Sequence, residues 1–216
     1  MSNSEGMAKL PGATGYFALF GEERRPWLGP EALKNNYQEL TLLHHPDRQG
    51  SKEREADSPF DSAKGGTFPY SFAQLTEAFR VLSDPKLRIE HLLKIEGHQT
   101  GSDQSVPEEF VDWFSEIASF LRSTDDLLQR TATAQNALSQ SLLRAELLSS
   151  QKQGEDILAR LTRSHREALE ELSVINDLWI KDRAAAIPKL SDLHQRLAYL
   201  TRWLEQMRER QFQLSR

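Results

Sequence analysis

The chain has 216 residues, of which 38% are apolar and 27% are charged, and its net charge at neutral pH is −5. This composition is typical of a globular protein with one domain or two small ones, and the acidic balance gives no support for nucleic-acid binding, which needs clustered positive charge. Because the chain contains no cysteine, it cannot form disulfides, use a thiol in catalysis or hold a metal cluster through thiolates.

The N-terminal region predicts neither a targeting signal nor a membrane anchor. Residues 1–14 are mostly small and polar, which is typical of a flexible leader, and they lack the apolar centre of a secretory signal. No apolar run in the chain approaches the roughly 20 residues that cross a bilayer. No membrane partner is therefore expected, and the absence of cysteine makes a reducing cytoplasm the plainest location.

Two helices are predicted next. The first covers residues 16–20 and is too short to be stable alone, so its aromatic side chains must pack on the helices that follow. The second covers residues 31–43 and is opened by Gly29 and Pro30, since proline fits the first turn of a helix. Its apolar face, spaced by three and four residues, consists of Leu33, Tyr37, Leu40 and His44.

The tripeptide His45-Pro46-Asp47 follows the second helix directly. Pro46 ends the helix, because proline lacks a backbone N–H and disfavours helical geometry in the preceding residue. His45 and Asp47 are therefore predicted to lie at the mouth of a loop, beside a rigid helix end and free to meet a partner. The loop that follows, residues 48–71, is too polar to be buried.

The pattern after the loop predicts two more helices, over residues 72–82 and 85–95. The first of them places Phe72, Leu75, Leu82 and either Ala78 or Phe79 on one face. Asp84 is a capping residue followed by proline, which begins the second. Gly97 ends it, and residues 98–106 form a turn-rich linker at a domain boundary.

The second half of the chain predicts a long antiparallel helical bundle, and the fold class is all-α. Four helices are expected, of which the first covers residues 108–121 and the second covers residues 124–149. A break near residues 185–188 makes the last two a hairpin. Gly154 is expected at a junction between segments, and His165 is expected to be a hydrogen-bonded core histidine. The predicted apolar positions are Phe110, Trp113, Phe114, Ile117 and Leu121 in the first helix; Leu127, Leu128, Ala134, Leu138, Leu142, Ala145 and Leu148 in the second; Leu158, Leu161, His165, Ala168, Leu172, Ile175 and Trp179 in the third; and Leu190, Leu193, Leu197, Leu200, Leu204 and Met207 in the fourth.

Several segments around the tripeptide resemble the J domain of DnaJ-type co-chaperones, and among them the HscB-like branch of iron–sulfur cluster biogenesis. They are YFALFG at residues 16–21, LGPEAL at 28–33, QLTEAFRVLSDP at 74–85 and KLRIEHLL at 86–93. The resemblance covers roughly residues 15–97; beyond them it concerns architecture only. It implies a J domain over residues 15–97, a linker over 98–106 and a client-binding helical domain over 107–216.

The resemblance also implies a function for the tripeptide. In J proteins this segment binds the ATPase domain of a DnaK-type chaperone and accelerates ATP hydrolysis. Carried over by position, His45, Pro46 and Asp47 are the activating residues, and Lys34 and Arg48 belong to the docking face. J domains usually present a basic second helix, whereas here Lys34 stands among acidic residues, and the arginines at positions 24 and 25 are candidates to supplement it.

The client side departs from the family pattern. HscB proteins bind an iron–sulfur scaffold protein through a leucine- and glutamate-rich stretch in the first helix after the linker, and the corresponding region here is aromatic. Its rings are either core residues or, in part, an exposed client patch. The candidate client-binding residues are Phe110, Trp113, Phe114 and Phe120.

Enzymatic and metal-binding functions are disfavoured. The sequence has no glycine-rich phosphate loop, nucleophile elbow or zinc-binding helix motif, and it implies no cofactor. His44, His45 and Asp47 are ligand-type residues, but neighbours on a helix point in different directions and no further ligand is in view. Three hypotheses remain: an HscB-like co-chaperone that delivers an iron–sulfur scaffold, a J-domain co-chaperone for another client, and a helical adaptor that activates no chaperone.

Overall fold

The computed structural model of the chain describes residues 15–43, 71–98, 107 and 110–216. These ranges contain seven helices and no strand, which confirms the all-α prediction. None of these helices is long and apolar enough to cross a membrane. The helices are α1 Gly15–Leu19, α2 Pro30–Leu43, α3 Phe72–Ser83, α4 Pro85–Ile95, α5 Val111–Thr133, α6 Ala137–Lys181 and α7 Arg183–Leu214.

The chain divides into two compact units. The first comprises Met1–Thr100 together with Ile175–Leu190, and the second comprises Gly101–Val174 together with Ser191–Arg216. The first unit thus includes the end of α6 and the beginning of α7, which the sequence pattern assigns to the bundle domain at 107–216. The leader at 1–14 and all of the linker at 98–106 except His98 lie outside the described residues.

Helix α3 is the centre of the first unit, and α1, α2 and α4 all pack on it. It begins with a capping box, in which the Ser71 hydroxyl accepts from the Gln74 N–H and the Gln74 side chain accepts from the Ser71 N–H. The predicted end of α4 is confirmed at Gly97, whose φ of 81° suits glycine. The buried apolar residues of this part of the chain include Phe17, Leu33, Leu75, Ala78, Leu82, Ile89, Leu92 and Leu93.

Asp84 begins α4 as predicted. Its side chain accepts from the N–H of Leu87 at 3.1 Å, and Pro85 occupies the first turn. The predicted burial of Phe72 is wrong, since 47% of this residue is exposed. Phe72 is the first residue of α3, where the packed face of the helix ends.

Helices α5, α6 and α7 form an antiparallel bundle in the second unit. Ion pairs join Glu116 near the start of α5 to Arg160, and Arg130 near the end of α5 to Glu146, which lies earlier in α6 than Arg160. The two helices therefore run in opposite directions. The same reversal relates α6 to α7, because Glu171 pairs with Arg196 while Gln151 donates to the carbonyl of Leu214. The predicted bundle is confirmed.

The number of helices in the bundle differs from the prediction, because three helices replace the expected four. Helix α5 continues through the expected break to Thr133, and within it the buried Thr124 donates its hydroxyl to the Phe120 carbonyl at 2.8 Å. The actual break falls at residues 134–136, where a helix was predicted. Gly154 lies inside α6 rather than at a junction.

The hairpin between the last two helices turns at Asp182, upstream of the predicted break at 185–188. The Asp182 side chain accepts from the N–H of Ala185 at 3.1 Å and so caps α7. Pro188 lies in the second turn of that helix. Most of the apolar positions predicted for the third and fourth bundle helices are buried, as expected: Leu161, Ala168, Leu172, Ile175, Trp179, Leu190, Leu193, Leu197, Leu200, Leu204 and Met207.

The beginning of α6 presents apolar side chains to solvent, contrary to the prediction for this segment. Leu138, Leu142 and Leu148 are 72%, 61% and 62% exposed, whereas Leu143 is buried. The predicted stripe assumed one continuous helix from residue 124 to 149. The break at 134–136 resets the helical phase, so a different face turns towards the bundle.

Candidate functional site

The predicted site is centred on the tripeptide, and His45, Pro46, Asp47 and Arg48 lie outside the described residues. Their role therefore stays a prediction. The two helices that border this segment are described: α2 as far as Leu43 and α3 from its cap at Ser71. These helices and the segment leading into α2 are the described parts of the chain nearest to the tripeptide in sequence.

An aromatic contact fixes the side of α2 that faces α3. The ring of Tyr37 stacks on the ring of Phe79 with centroids 4.1 Å apart and an interplanar angle of 15°. The Tyr37 hydroxyl lies 3.4 Å from the Thr76 hydroxyl oxygen, and the ring of Phe20 lies 6.4 Å from that of Phe79. Stacked aromatic pairs add stabilisation beyond the area that they bury, so this contact orients α2.

The outward face of α2 is weakly charged. Lys34 is exposed, as a docking residue must be, but Glu31 and Glu39 are exposed on the same helix. Within the described part of α2, Lys34 is the only basic residue. The described part of α2 is therefore not basic, and the docking role of Lys34 stays a prediction.

The segment between α1 and α2 is anchored by a buried arginine that sequence reasoning missed. Arg88 is 4% exposed and donates from Nε to the Pro26 carbonyl at 2.7 Å and from a terminal nitrogen to the Leu82 carbonyl. Burial lowers the pKa of Arg88 to about 10, partly opposed by the nearby Asp84 carboxylate. The guanidinium therefore ties this segment to the turn between α3 and α4.

Two side chains from the end of α6 hold the same segment. The Trp179 indole N–H donates to the Arg24 carbonyl at 2.8 Å, and Asn176 Oδ1 accepts from the Trp27 N–H at 3.3 Å. Trp179 is 3% exposed and Asn176 is 8% exposed. At the start of the segment, the Asn36 side-chain amide donates to the Phe20 carbonyl at 2.7 Å.

The arginines expected to supplement the docking face are both half-buried. The Arg25 guanidinium lies 3.7 Å from the Glu22 carboxylate, three residues earlier. Part of its charge is therefore balanced locally, which limits what it can add to a basic surface.

Helix α1 is held by His91, a residue to which sequence reasoning gave no role. The His91 Nε2 accepts from the backbone N–H of Tyr16 at 3.1 Å. The rings of Tyr16 and Phe17 stack on the imidazole with centroids 4.6 and 5.8 Å away. Burial lowers the pKa of His91, and the charge of Lys94 adds to the effect. The ring is neutral in this arrangement, because a protonated Nε2 cannot accept a hydrogen bond.

The four candidate client-binding residues differ in burial: two are buried and two are accessible to solvent. Phe120 is buried, and Phe110 is buried against the rings of Tyr199 and Trp203, with centroids 6.1 and 5.3 Å away. Both therefore serve the core of the second unit.

The other two client candidates lie on the same helix and are more accessible. Trp113 is half-buried, with the Arg160 guanidinium 4.8 Å from its ring centroid. Phe114 is 56% exposed, and the neighbouring Val111 is 55% exposed. Phe114 is thus the one candidate whose ring is largely available to a partner, and its role in client binding stays a prediction.

No metal site is formed by the residues that the structure describes, since no three histidine, aspartate or glutamate side chains there are grouped to hold an ion. The ligand-type residues of the tripeptide region, His44, His45 and Asp47, fall outside these ranges.

Comparison with known proteins gives a fold but no family match from sequence. No family model matches the chain. Among solved structures, the fold is similar to that of the chaperone HscB from Vibrio cholerae, with a TM-score of 0.52 and 18% identity over 90% of this chain and 95% of that one. The human co-chaperone protein HscB is also similar, with a TM-score of 0.44 and 14% identity over 95% of this chain and 84% of that one. The similarity to the Vibrio cholerae structure shows that the chain has an HscB-like, all-helical fold.

Proposed function

We propose that this chain is an HscB-like co-chaperone that stimulates the ATPase of a DnaK/HscA-type chaperone and delivers an iron–sulfur cluster scaffold protein to it. The observation that carries the proposal is the tripeptide His45-Pro46-Asp47 at the end of α2, within segments that resemble the HscB-like branch. The similarity of the fold to an HscB protein over 90% of the chain supports it. The chain itself performs no catalysis in this role.

The chemistry of the tripeptide suits a docking element. Pro46 restricts the backbone beyond the helix, so less conformational freedom is lost when a partner binds. Asp47 offers a carboxylate acceptor to a basic partner residue, and such charge-assisted hydrogen bonds are short and strong. Lys34 and Arg48 contribute the positive charge of the docking face. Stimulation requires that these residues bind one state of the chaperone better than the other.

The decisive experiment measures steady-state ATP hydrolysis by a purified DnaK/HscA-type chaperone with and without the full chain. The unsubstituted chain should stimulate hydrolysis, and His45→Gln should abolish the stimulation. His98→Gln is the matched control, since His98 is an exposed histidine at the end of α4, and it should stimulate normally. Equal rates with the unsubstituted chain and with His45→Gln would overturn the proposed activation.

The client is tested separately, by binding of a purified iron–sulfur scaffold protein to the second unit's exposed aromatic surface. Phe114→Ala should weaken binding by about tenfold, the usual effect of removing a central aromatic contact. Phe212→Ala is a fair control, because Phe212 lies in the same unit with a similar exposure, 52% against 56%. A chain that activates the chaperone but does not bind the scaffold would be a J protein for another client.

A second candidate function is a helical adaptor that activates no chaperone. The lack of a basic outer face on the described part of α2, where exposed Lys34 is outnumbered by exposed Glu31 and Glu39, favours it. An adaptor of this kind would bind its client normally, and Asp47→Asn would change nothing in the ATPase assay.

A further inference from the structure

We propose that Asn176 and Trp179, more than 120 residues after the tripeptide, are positioning residues for chaperone docking. They fix the backbone of residues 24–27 and, through it, the start of α2. The inference has two parts. The structural part, that Asn176 and Trp179 fix residues 24–27, stands on contacts within the first unit. The kinetic part, that this fixing strengthens chaperone docking, rests on the proposed function. Both residues lie on the last two turns of α6, which belong to that unit.

The two side chains hold opposite ends of a four-residue stretch. Trp179 donates to the carbonyl of Arg24 at 2.8 Å, and Asn176 accepts from the N–H of Trp27 at 3.3 Å. Asn176 and Trp179 are three residues apart, so they project from the same face of the helix on successive turns. One helix face therefore supplies a donor and an acceptor to one backbone segment.

A third contact lies between these two ends. The buried guanidinium of Arg88 donates to the Pro26 carbonyl at 2.7 Å. Three backbone groups within four residues, the carbonyls of Arg24 and Pro26 and the N–H of Trp27, are thus each bound by a side chain distant in sequence. A loop segment held in this way has little freedom left, although it belongs to neither helix.

Burial protects the two hydrogen bonds made by α6 side chains from competition by water. Trp179 is 3% exposed and Asn176 is 8% exposed, so neither can exchange its partner readily for water. The outer side of the indole is covered by Arg183, whose guanidinium lies 5.0 Å from the ring centroid and 3.3 Å from a Glu96 carboxylate oxygen. The indole is therefore held by a hydrogen bond at its edge and by a cation–π contact over its ring.

The braced segment leads directly into α2. Leu28 follows it and is buried, and α2 begins at Pro30. Lys34 lies on α2, which runs from Pro30 to Leu43, so fixing the start of this helix limits the positions that Lys34 and the chain leading to the tripeptide can take. Preorganisation of this kind strengthens binding because less ordering remains to be done on association.

The test uses Trp179→Phe in the full chain, which keeps a buried aromatic ring and removes the indole N–H. Asn176→Leu is the second variant and removes the acceptor for Trp27. Trp203→Phe is the matched control, since Trp203 is a buried tryptophan of the second unit. Amide hydrogen exchange of Arg24, Arg25, Trp27 and Leu28 reports the structural part, since Pro26 has no N–H. Chaperone ATPase as a function of co-chaperone concentration reports the effect on docking.

We expect exchange of these amides to rise by about fivefold or more in each variant, the factor that corresponds to one lost hydrogen bond. The concentration for half-maximal stimulation should rise by a similar factor, while the maximal rate stays unchanged, because the activating tripeptide is intact. The control should change neither quantity. A partly unfolded variant would also need a higher total concentration for half-maximal stimulation, because only its folded fraction binds, so each concentration is corrected by the folded fraction measured by circular dichroism.

Unchanged exchange in both variants would overturn the positioning role, whatever the ATPase result. Faster exchange with an unchanged half-maximal concentration would overturn the link to docking. If the unsubstituted chain fails to stimulate the chaperone, the proposed function and the kinetic part of this inference fail together, and the exchange measurement still decides the structural part.

Discussion

The backbone N–H of Tyr16 donates to Nε2 of His91 at 3.1 Å, across 75 positions of sequence. This bond joins the first helix of the described chain to α4 and satisfies one of the N–H groups that every helix leaves unpaired at its start. Since α1 has only five residues, it cannot be stable by itself. The bond and the stacking of Tyr16 and Phe17 on the imidazole account for its position.

The bond to His91 makes the stability of the first unit depend on pH. The pKa of His91 is lowered from 6.5, first by burial and second by Lys94, so the unfolded chain binds more protons at this residue than the folded chain. The contribution to the free energy of unfolding is fully present above about pH 6.5 and is lost as the pH falls through the lower, folded-state pKa. Urea unfolding at about pH 7.5 and about pH 5.5 measures it.

The variant His91→Gln should reduce this pH dependence and lower stability at neutral pH by about 1–2 kcal/mol, because it removes the ring that Tyr16 and Phe17 contact. His98→Gln is the control, since His98 is exposed. An identical pH dependence in His91→Gln and the unsubstituted chain would contradict the role given to this imidazole.

Gly15 is expected to tolerate no side chain. Its φ is 55°, in the left-handed region, and a Cβ there would lie 2.7 Å from both His91 Nε2 and Ile95 Cδ1. Gly21 has a similar φ of 64°, but a Cβ there would meet nothing within 4 Å. Gly21→Ala should therefore cost about 1 kcal/mol of strain, whereas Gly15→Ala should cost at least about 1 kcal/mol more, because the contact adds to the strain.

Thermal or urea unfolding of the two glycine variants provides the comparison. The difference between them isolates the effect of the approach to His91, since the backbone strain is nearly the same. Equal losses of stability would mean that the imidazole moves away at no cost, and the anchoring of α1 would then be weaker than the hydrogen bond indicates.

Local patterns predicted most of the first unit, because its helices begin and end at residue types that strongly favour helix termini. Asp84 followed by proline, and glycine at position 97, have few alternatives in any fold. His91 and Arg88 were missed for the opposite reason. Each is bound to a partner far away in sequence, Tyr16 and Pro26 respectively, and no local period reveals such a pairing.

The second unit shows how one unpredicted break propagates. The spacing of leucines looked continuous through residues 124–149, but the chain leaves the helix at 134–136. The predicted apolar positions between this break and residue 149 are therefore exposed: Leu138, Leu142, Ala145 and Leu148. Gly154 was wrongly predicted to end a helix, because glycine often does so. In the structure it lies inside α6 and allows Phe120 and Gln211 to approach that helix closely. The tripeptide could be singled out from sequence by its resemblance alone, and its role awaits the ATPase experiment.

Two adjacent leucines in α6 test the corrected helical phase. Leu143 is 7% exposed and Leu142 is 61% exposed. Leu143→Ala should lower the free energy of unfolding by about 2–4 kcal/mol, as is usual for a buried leucine, while Leu142→Ala should change it by no more than about 0.5 kcal/mol. Denaturant unfolding monitored by circular dichroism distinguishes them. A larger loss for Leu142→Ala would mean that the phase predicted from the sequence was correct.

Gly154 presents two opposing effects whose balance can be predicted. In an exposed helix interior, replacing glycine by alanine stabilises by about 1 kcal/mol, since glycine loses more backbone freedom on folding. Here, however, a Cβ would lie 2.7 Å from Gln211 Oε1 and 2.9 Å from Phe120 Cζ. Phe120 is 2% exposed and has no room to withdraw.

The side chain of Gln211 is also held, because its Nε2 donates to the Gln151 carbonyl at 2.8 Å. Moving it away from a new Cβ would break this bond. We therefore expect Gly154→Ala to destabilise the chain by about 1–3 kcal/mol, the range for overpacking a well-filled core. Ser149→Ala, an exposed position on the same helix, should change stability by less than about 0.5 kcal/mol. If Gly154→Ala instead raised the unfolding midpoint, α6 and α7 would not approach as closely as the contact with Gln211 requires.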